Sequence, residues 1–565
     1  MSRILVTSAL PYINGIKHLG NLIGSMLPAD VYARFQRQIG NTVLYICATD
    51  EHGTPAELAA SEAGLDVEEY CRQQHDLQVQ TYKSLELSFD FFGRTSSKQN
   101  IELTQHFCQK LDEHGFIEEK EIDQIYSSED KRFLPDRYIV GTCPRCSYEF
   151  ARGDQCEHCA TLLEPTDLIN SYSAISGSKN LEIIKTKHLF LKQSLLADEV
   201  EKWINTKIDE WPVLVTSIAK KWLKEGLRDR CITRDLSWGV PVNRPGYEGK
   251  VFYVWFDAPI GYISATKQWS DENPNERDWK SWWFDAPDVK YVQFMAKDNI
   301  PFHTVSFPCT MFGSHEAWKL VDYIKGFNWL NFYGGKFSTS QKRGIFLDQA
   351  LKEFPADYWR YWLLANAPES TDSTFTFESF SSIINKDLAD TFGNFVNRCL
   401  KLSASKFGSN VPEHGNFSQS EFQLAQALSE KITEYRINLE KIEFRKAMTT
   451  LKAIWSLGNN YFADSEPWTV IKTDKERSAC ILRTSINLVR LFALLSLPII
   501  PQTSNSILTC IHPGNEKTSW PSQDMTEELQ FLKGGEAFST PAPLFTKITK
   551  EEVEALEQRY GGAKR

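Results

Sequence analysis

The first fifty residues of this chain commit it to a parallel sheet. A continuous apolar run, Ile4 to Leu10, stops at Pro11, passes a turn at Asn14-Gly15 and enters a helical pattern from about His18; a second buried run, Thr42 to Ala48, follows. Strands covered on both faces read as unbroken apolar stretches. Strand, helix, strand at this spacing is a βαβ unit with a right-handed crossover, which puts both strand ends on one edge of the sheet. The polar groups after each strand converge there: His18 from the first, Asp50, Glu51 and His52 from the second. Strand-like runs return at Val251 to Asp257 and Tyr291 to Ala296, predicting a second half of the same sheet. Between the halves, from about Gly115 to Arg230, the pattern is charged and irregular, then helical and rich in Trp and Lys, and reads as an insertion. After Gly334-Gly335 the chain turns helical: Lys386 to Leu402, Glu421 to Trp455 and Glu476 to Leu497 carry apolar residues at spacings of 3 and 4, and Lys550 to Tyr560 adds one more such pattern.

The insertion carries the clearest metal signal. Cys143-x2-Cys146 and Cys156-x2-Cys159 are two thiolate pairs nine residues apart, with Gly153 and Asp154 turning the chain between them, which suits a tetrahedral Zn²⁺. Four thiolates leave no open coordination position, so one structural Zn²⁺ is expected. The other eight of the 12 cysteines are scattered, which fits a reducing compartment and not a disulfide framework. With 565 residues and 42% hydrophobic content the chain has material for three or four domains. Its 63 basic and 73 acidic residues leave a net charge of −10, so a uniformly basic nucleic-acid coat is excluded and any polyanion must be met locally. The longest apolar stretch, Leu491 to Ile500, is half a membrane span and ends at Pro501, and the N-terminal run lacks a signal-peptide cleavage pattern. A cytoplasmic chain with no membrane partner is expected.

Two short segments more than 300 residues apart carry the chemistry. Pro11-Tyr12-Ile13-Asn14-Gly15-Ile16-Lys17-His18-Leu19-Gly20-Asn21 sets an imidazole at a helix N-terminus, where free N–H groups and the helix dipole favour phosphate. Gly20 lets a flat ring approach the backbone. A histidine at a helix start is also a common cap. Lys336-Phe337-Ser338-Thr339-Ser340, after a Gly-Gly turn, presents one ammonium and three hydroxyls, a donor set for a polyphosphate that can equally be a solvated loop. In this order the pair resembles the HIGH and KMSKS signatures of class I aminoacyl-tRNA synthetases. Ala9-Leu10-Pro11-Tyr12, Ala48-Thr49-Asp50-Glu51-His52-Gly53-Thr54, Tyr253-Val254-Trp255-Phe256-Asp257-Ala258-Pro259-Ile260-Gly261-Tyr262 and Lys297-Asp298-Asn299-Ile300-Pro301-Phe302-His303 are similar to the methionyl-tRNA synthetase family, from about residue 4 to at least 470.

That resemblance implies an α/β fold with a split Rossmann-type parallel sheet, a zinc-knuckle insertion and an α-helical anticodon-binding bundle. The corresponding divisions are 1–115 and 231–325 for the two catalytic halves, 116–230 for the insertion, 326–385 for the loop and connecting domain, 386–540 for the bundle and 541–565 for a tail. It implies ATP taken with Mg²⁺, L-methionine and tRNA(Met) as partners, and a monomer, since the chain ends close after its bundle. The implied roles are His18 and Lys336 on the phosphates and Gly20 and Asn21 on the adenine side. Asp298 falls near the ribose, Thr339 in the ATP loop, and Arg234 is a further candidate for a phosphate contact. Leu10, Tyr12, Trp255, Pro259, Tyr262 and His303 would surround the thioether, whose sulfur suits aromatic edges, with Asp50 accepting from the substrate ammonium. For the anticodon, Asn394 and Arg398 share a helix face, and Trp468 after Pro467 offers an indole for stacking; taken singly these are ordinary surface and core residues. The chain departs from the family pattern at Asn21, where a second histidine is common, and at Thr339, where a second lysine is usual; Lys342 and Arg343 lie near enough to substitute. Other readings are another class I synthetase, against which the short insertion argues, a small nucleotidyltransferase, and a catalytically inactive tRNA-binding homologue.

Overall fold

The structure, a computed structural model, describes residues 2–156, 158–159, 161, 163–337, 343–511 and 518–561. Its centre is a five-stranded parallel sheet in the order Tyr323–Phe327, Val289–Ala296, Arg3–Ser8, Thr42–Thr49, Phe91–Arg94. Arg3–Ser8 is buried at every position after the first, because helices cover both faces. Register pairs Ser8 with Phe294 on one side and Thr7 with Ile46 on the other.

The second half of the sheet differs from expectation in one strand. Within the Val251 to Asp257 run only Val251–Phe252 is extended, and it pairs antiparallel with Thr233–Arg234; Val254–Asp257 is a helical turn. A short apolar run fits a buried helical turn as well as a strand, and this one is capped by Phe256 and Asp257 N–H groups donating to the Tyr253 carbonyl at 2.8 and 3.3 Å. The strand that takes the vacant place is Tyr323–Phe327, which Lys325 disguises: its ammonium is buried, paired with Glu369 at 2.8 Å and donating to the Ile442 carbonyl at 2.6 Å.

The insertion is built on two eleven-residue antiparallel strands, Ile117–Ser127 and Leu181–Leu191, flanked by Arg132–Phe133 and Arg230–Cys231. A separate three-stranded sheet, Ile139–Thr142, Ala151–Arg152 and Ile169–Ser173, holds the cysteines. A further small sheet pairs Leu330–Phe332 with Gly335–Lys336 and with Ser373–Phe375. The remainder is helical. The expected Glu421 to Trp455 helix is two, Gln419–Glu440 and Phe444–Ser465. They are joined through Ile442, whose φ of +56° is left-handed. No glycine or proline marks this turn; it is held because the Ile442 side chain is buried and its carbonyl takes the Lys325 ammonium. Lys475–Ser496 is, among the described residues, the helix long and apolar enough to cross a membrane, and it lies buried in the bundle.

Sheet and bundle meet at Arg360, on the Ala356–Ala365 helix, with no exposed surface. It binds Asp30 of the Leu27–Gln38 helix at 2.7 Å and donates to the carbonyls of Leu85 (3.1 Å), Pro498 (2.9 Å) and Ile499 (2.8 Å). Burial would raise the Asp30 carboxyl, but Arg34, Arg360 and Ser88 hold it below its ordinary value. Removing one partner of a buried pair strands the other, at about 3–5 kcal/mol. Arg360→Met is therefore expected to lower the first urea-unfolding transition by that amount; a loss under about 1 kcal/mol would mean that Arg34 and Ser88 suffice for Asp30.

Candidate active site

The two central strands, Arg3–Ser8 and Val289–Ala296, lie side by side, yet the chain leaves them in opposite directions, toward Thr42–Thr49 and toward Tyr323–Phe327. Such a switch opens a crevice beyond the strands' carboxyl ends. Here it is a cavity of about 250 Å³, walled by Ala9, Leu10 and Pro11 after the first strand, by Ala296, Asp298 and Asn299 after the second, and by Gly20, Asn21, Trp329, Lys336 and Phe337. The helices on both sides begin irregularly: Leu22–Met26 and Phe302–Ser306 are π-helical, a widening often found at functional sites.

His18 is the N-cap of the first helix. Its Nδ1 accepts from the Asn21 N–H at 3.3 Å, while its own N–H donates to Asn21 Oδ1 at 3.2 Å, a reciprocal capping box. Burial, and then Lys17 beside it, pull the imidazole down to about 3. It is therefore neutral at pH 7, and because Nδ1 accepts, the proton sits on Nε2 as a donor. The ring stacks on Phe337 with centroids 4.6 Å apart at 16°. The two distant segments thus touch. The flat ring that packs on Gly20 is that of His18: a Cβ there would lie 3.1 Å from it.

Lys336 is exposed, and its ammonium lies 4.2 Å over the Trp329 ring, whose centroid is also 4.1 Å from the Lys297 ammonium. Lys297 is spoken for by Asp372 at 2.7 Å. Thr339 and Lys342 lie outside the described residues. Arg343 rests on the Gly335 backbone, where a Cβ would meet its guanidinium at 2.0 Å, and donates to the Phe332 carbonyl at 3.4 Å. This places a second cation one residue from Lys336.

The other side of the crevice is organised around Asp50, 5% exposed, whose Oδ1 has no hydrogen-bond partner. Burial first, then Asp257 and Glu51, push its carboxyl well up, against the pull of Lys17. The backbone fixes it beside the first segment: Asp50 N–H donates to the Pro11 carbonyl and Ile13 N–H to the Asp50 carbonyl, both at 2.9 Å. The Tyr12 hydroxyl accepts from Trp255 Nε1 at 2.9 Å, and Trp255 meets Phe302 edge-on at 4.2 Å. His303 Nδ1 donates to the Asn299 carbonyl at 2.8 Å, so its Nε2 accepts from the Tyr262 hydroxyl at 2.9 Å. Burial pulls His303 down to about 4. Leu10 packs against Gly261, where a Cβ would lie 3.0 Å from its Cδ1, and Pro259 and Trp255 line one neighbouring pocket.

Three residues take other places than their sequence positions suggested. Glu51 turns away into Arg94, Ser96 and Thr49, and His52 binds Asp257 at 2.7 Å. Arg234 does not line the crevice: it pairs with Asp136 at 2.9 Å and lies 3.8 Å over Tyr253. Lys17 was not singled out, although it is 5% exposed between His18 and Asp50 and burial lowers its ammonium to about 7. Nothing in pattern or spacing marks a buried lysine, and the same holds for the Phe337 and Trp329 rings.

Away from the crevice, Cys143, Cys146, Cys156 and Cys159 bring their sulfurs within 4.8 Å of one another. The 3.9 Å from Cys143 to Cys159 and 3.6 Å from Cys146 to Cys156 match the roughly 3.8 Å edge of a tetrahedron with Zn–S near 2.3 Å. On the bundle, Asn394 and Arg398 are exposed one turn apart. The Arg398 guanidinium lies 5.5 Å from the Trp468 ring, and Trp468 is 37% exposed at a corner formed by Glu466 in the left-handed region and Pro467.

Residues 4–400 match the sequence model of a family described as tRNA synthetases class I (M), and residues 411–565 match one described as the anticodon binding domain of methionyl tRNA ligase. A Streptomyces avermitilis protein named methionine–tRNA ligase is 58% identical over 572 residues, covering 100% of both chains. A Cereibacter sphaeroides protein of the same name is 57% identical over 575 residues, again covering 100% of each. Of solved structures, Mycobacterium tuberculosis methionyl-tRNA synthetase in complex with methionyl-adenylate shares the fold with a TM-score of 0.76 at 23% identity, over 96% of this chain and 100% of that one.

Proposed function

The chain belongs to the class I methionyl-tRNA synthetase family, and on that premise we propose that it activates L-methionine with ATP and transfers it to the terminal adenosine of tRNA(Met). The observation that carries this reading is the meeting, at one switch point, of a buried carboxylate with a free oxygen at Asp50 and a neutral imidazole donor at His18. Asp50 takes the methionine ammonium. Leu10, Tyr12, Trp255, Pro259, Tyr262 and His303 surround the side chain, with the hydroxyl of Tyr262 spent on His303 and that of Tyr12 on the Trp255 indole, so the thioether meets aromatic surface. Gly20 and Asn21 border the adenine of MgATP and Asp298 its ribose. Thr339 belongs to the same phosphate loop.

The methionine carboxylate attacks the α-phosphorus and pyrophosphate leaves. No protein nucleophile is needed; positioning and preorganised donors do the work. His18 Nε2–H, Lys336 and Arg343 face the phosphate charge as it builds. In the second step a ribose hydroxyl of the tRNA attacks the activated carbonyl and AMP leaves. Asn394, Arg398 and Trp468 read the anticodon. One Zn²⁺ held by Cys143, Cys146, Cys156 and Cys159 ties the insertion's knuckle, and when bound it supplies order and no chemistry. The proposed division of labour follows the residue ranges given above, in a cytoplasmic monomer whose state equilibrium sedimentation tests.

Pyrophosphate exchange with each of the twenty amino acids tests the whole reading: methionine alone is expected to drive it. No exchange with any would leave a tRNA-binding homologue, and a stronger response to another amino acid would name another synthetase. Asp50→Asn removes a charge-assisted contact of about 1.5–3 kcal/mol, so kcat/KM for methionine is expected to fall about 10- to 150-fold. Since only the ionised carboxylate binds the ammonium and its pKa is raised, kcat/KM in the wild type should also decline as pH falls through that raised value, a limb absent from Asp50→Asn. Trp468→Ala is expected to leave exchange within twofold of wild type while aminoacylation drops about 5- to 150-fold, the worth of one stacked base at about 1–3 kcal/mol; equal losses would return Trp468 to a packing role. Metal analysis should find one Zn²⁺ per chain, lost in Cys156→Ser with transfer affected more than exchange.

A further inference from the structure

The hairpin that carries Lys336 is rigidly mounted. Leu330–Phe332 and Gly335–Lys336 pair antiparallel across a two-residue turn, Tyr333-Gly334, with φ of +48° and +76°; both are left-handed, as so short a turn demands. The turn is tied down from outside, since the Tyr333 hydroxyl donates to Glu557 at 2.8 Å and accepts from the Phe377 N–H at 3.1 Å. In this register Lys336 faces Asn331, so Trp329, two residues earlier in the chain, takes the diagonal place on the same face.

The Trp329 ring is fixed as firmly. Its N–H donates to Asp372 Oδ1 at 2.9 Å and its carbonyl accepts from the Ser373 N–H at 3.0 Å. The same Asp372 oxygen takes the Lys297 ammonium at 2.7 Å, and that ammonium lies 4.1 Å from the ring centroid. Trp329 is half-buried and shares the wall of the crevice with Lys336, whose ammonium lies 4.2 Å over the ring. Two cations thus share one indole, and Asp372 offsets the charge of Lys297. Burial would raise the Asp372 carboxyl, but the Lys297 and Trp329 hydrogen bonds and both ammonium charges hold it below its ordinary value.

An aromatic face attracts an ammonium without neutralising it. A carboxylate in that place would cancel the charge that the phosphates need. A lysine with no hold would lose its rotamer freedom on engaging them, whereas one already oriented does not. We propose that Trp329 is a positioning residue for adenylate formation: its ring keeps the Lys336 ammonium over the crevice, oriented and fully charged, where the leaving pyrophosphate gathers negative charge. The Lys297–Asp372 pair in turn sets the ring. This role deepens the methionine-activation reading above and rests on it.

Single-turnover adenylate formation by the full chain, with methionine-dependent exchange for KM, tests this. Trp329→Leu keeps apolar bulk and removes the π face; its rate is expected to fall about 2- to 30-fold, the span of one ammonium–ring contact, with KM for methionine within about twofold. Trp329→Phe, which restores a ring, should recover most of the loss. In a Lys336→Met background Trp329→Leu is expected to cost nothing further, because the cation it positions is gone. A packing role, or a direct contact with ATP, would cost the same with or without Lys336 and would overturn the assignment, as would a Leu variant as fast as wild type. Should Trp329→Leu fail to fold, fluorinated tryptophans at position 329 keep the ring's shape while drawing charge from its face, and the rate is expected to fall stepwise with fluorine number; a flat series overturns the assignment equally. A wild type without methionine-dependent exchange would defeat the activation reading and this role with it, whereas a wild type that exchanges normally beside an uncoupled Trp329 defeats this role alone.

Discussion

The contact between Asp30 and Arg360 decides how the parts of this protein are held. Asp30 belongs to the Leu27–Gln38 helix that packs on the parallel sheet, Arg360 to the Ala356–Ala365 helix, and neither has any exposed side-chain surface. A buried pair is a weak source of net stability, because desolvation offsets most of the attraction. Its effect is on geometry. Once the charges are buried, only the arrangement that also supplies Ser88 to Asp30 and the Leu85, Pro498 and Ile499 carbonyls to Arg360 leaves no polar group stranded. Three segments remote in sequence are thereby locked in one register, and a bundle that meets tRNA is fixed against a sheet that meets ATP.

The insertion is fastened by the same device at a different place. Glu57, on the helix after Asp50, accepts from Arg132 and Tyr138 of the insertion and from Ser237 and Trp238 beyond it. Arg234 pairs with Asp136 across the same seam. A knuckle whose own sheet is only three short strands would move freely without such struts. With them, its position is set by the helix that begins two residues after the Asp50 to His52 turn.

What could be read from the sequence follows how local each signal is. The first βαβ unit was legible because both strands are unbroken apolar runs, and the cysteine cluster because its ligands lie within seventeen residues of chain. The segments at His18 and Lys336 were legible as a pair, and the shared exposed face of Asn394 and Arg398 from helical spacing. Tyr323–Phe327 was not, since Lys325 and Gly326 break its pattern and only Glu369 and the Ile442 carbonyl, far along the chain, make that lysine buriable. The turn at Ile442 was hidden for the converse reason: its strain is tolerated by tertiary contacts and not signalled by a glycine. Glu51 and His52 sit at the right strand end but face the wrong way, and a side chain's direction after a strand is decided by which partners, here Arg94 and Asp257, have already been placed behind it.

The electrostatics of the crevice look paradoxical for a site that takes a zwitterion and a polyphosphate. Burial raises the Asp50 carboxyl, lowers the Lys17 ammonium to about 7 and lowers His18 to about 3, so each group is pressed toward its neutral form. Desolvation alone explains the direction, since removing water disfavours the charged form of acid and base alike. The same desolvation makes a correctly placed opposite charge worth more than it would be in water. In the proposed reading, an ammonium arriving at Asp50 would restore the carboxylate that burial opposes. For His18 neutrality is already the useful state: its Nδ1 is fixed as an acceptor by the Asn21 N–H, so Nε2 remains a donor at any working pH without the cost of hydrating and dehydrating a cation. In the proposed reading, cationic charge is left to the exposed Lys336 and Arg343 at the rim, where each would meet the phosphates.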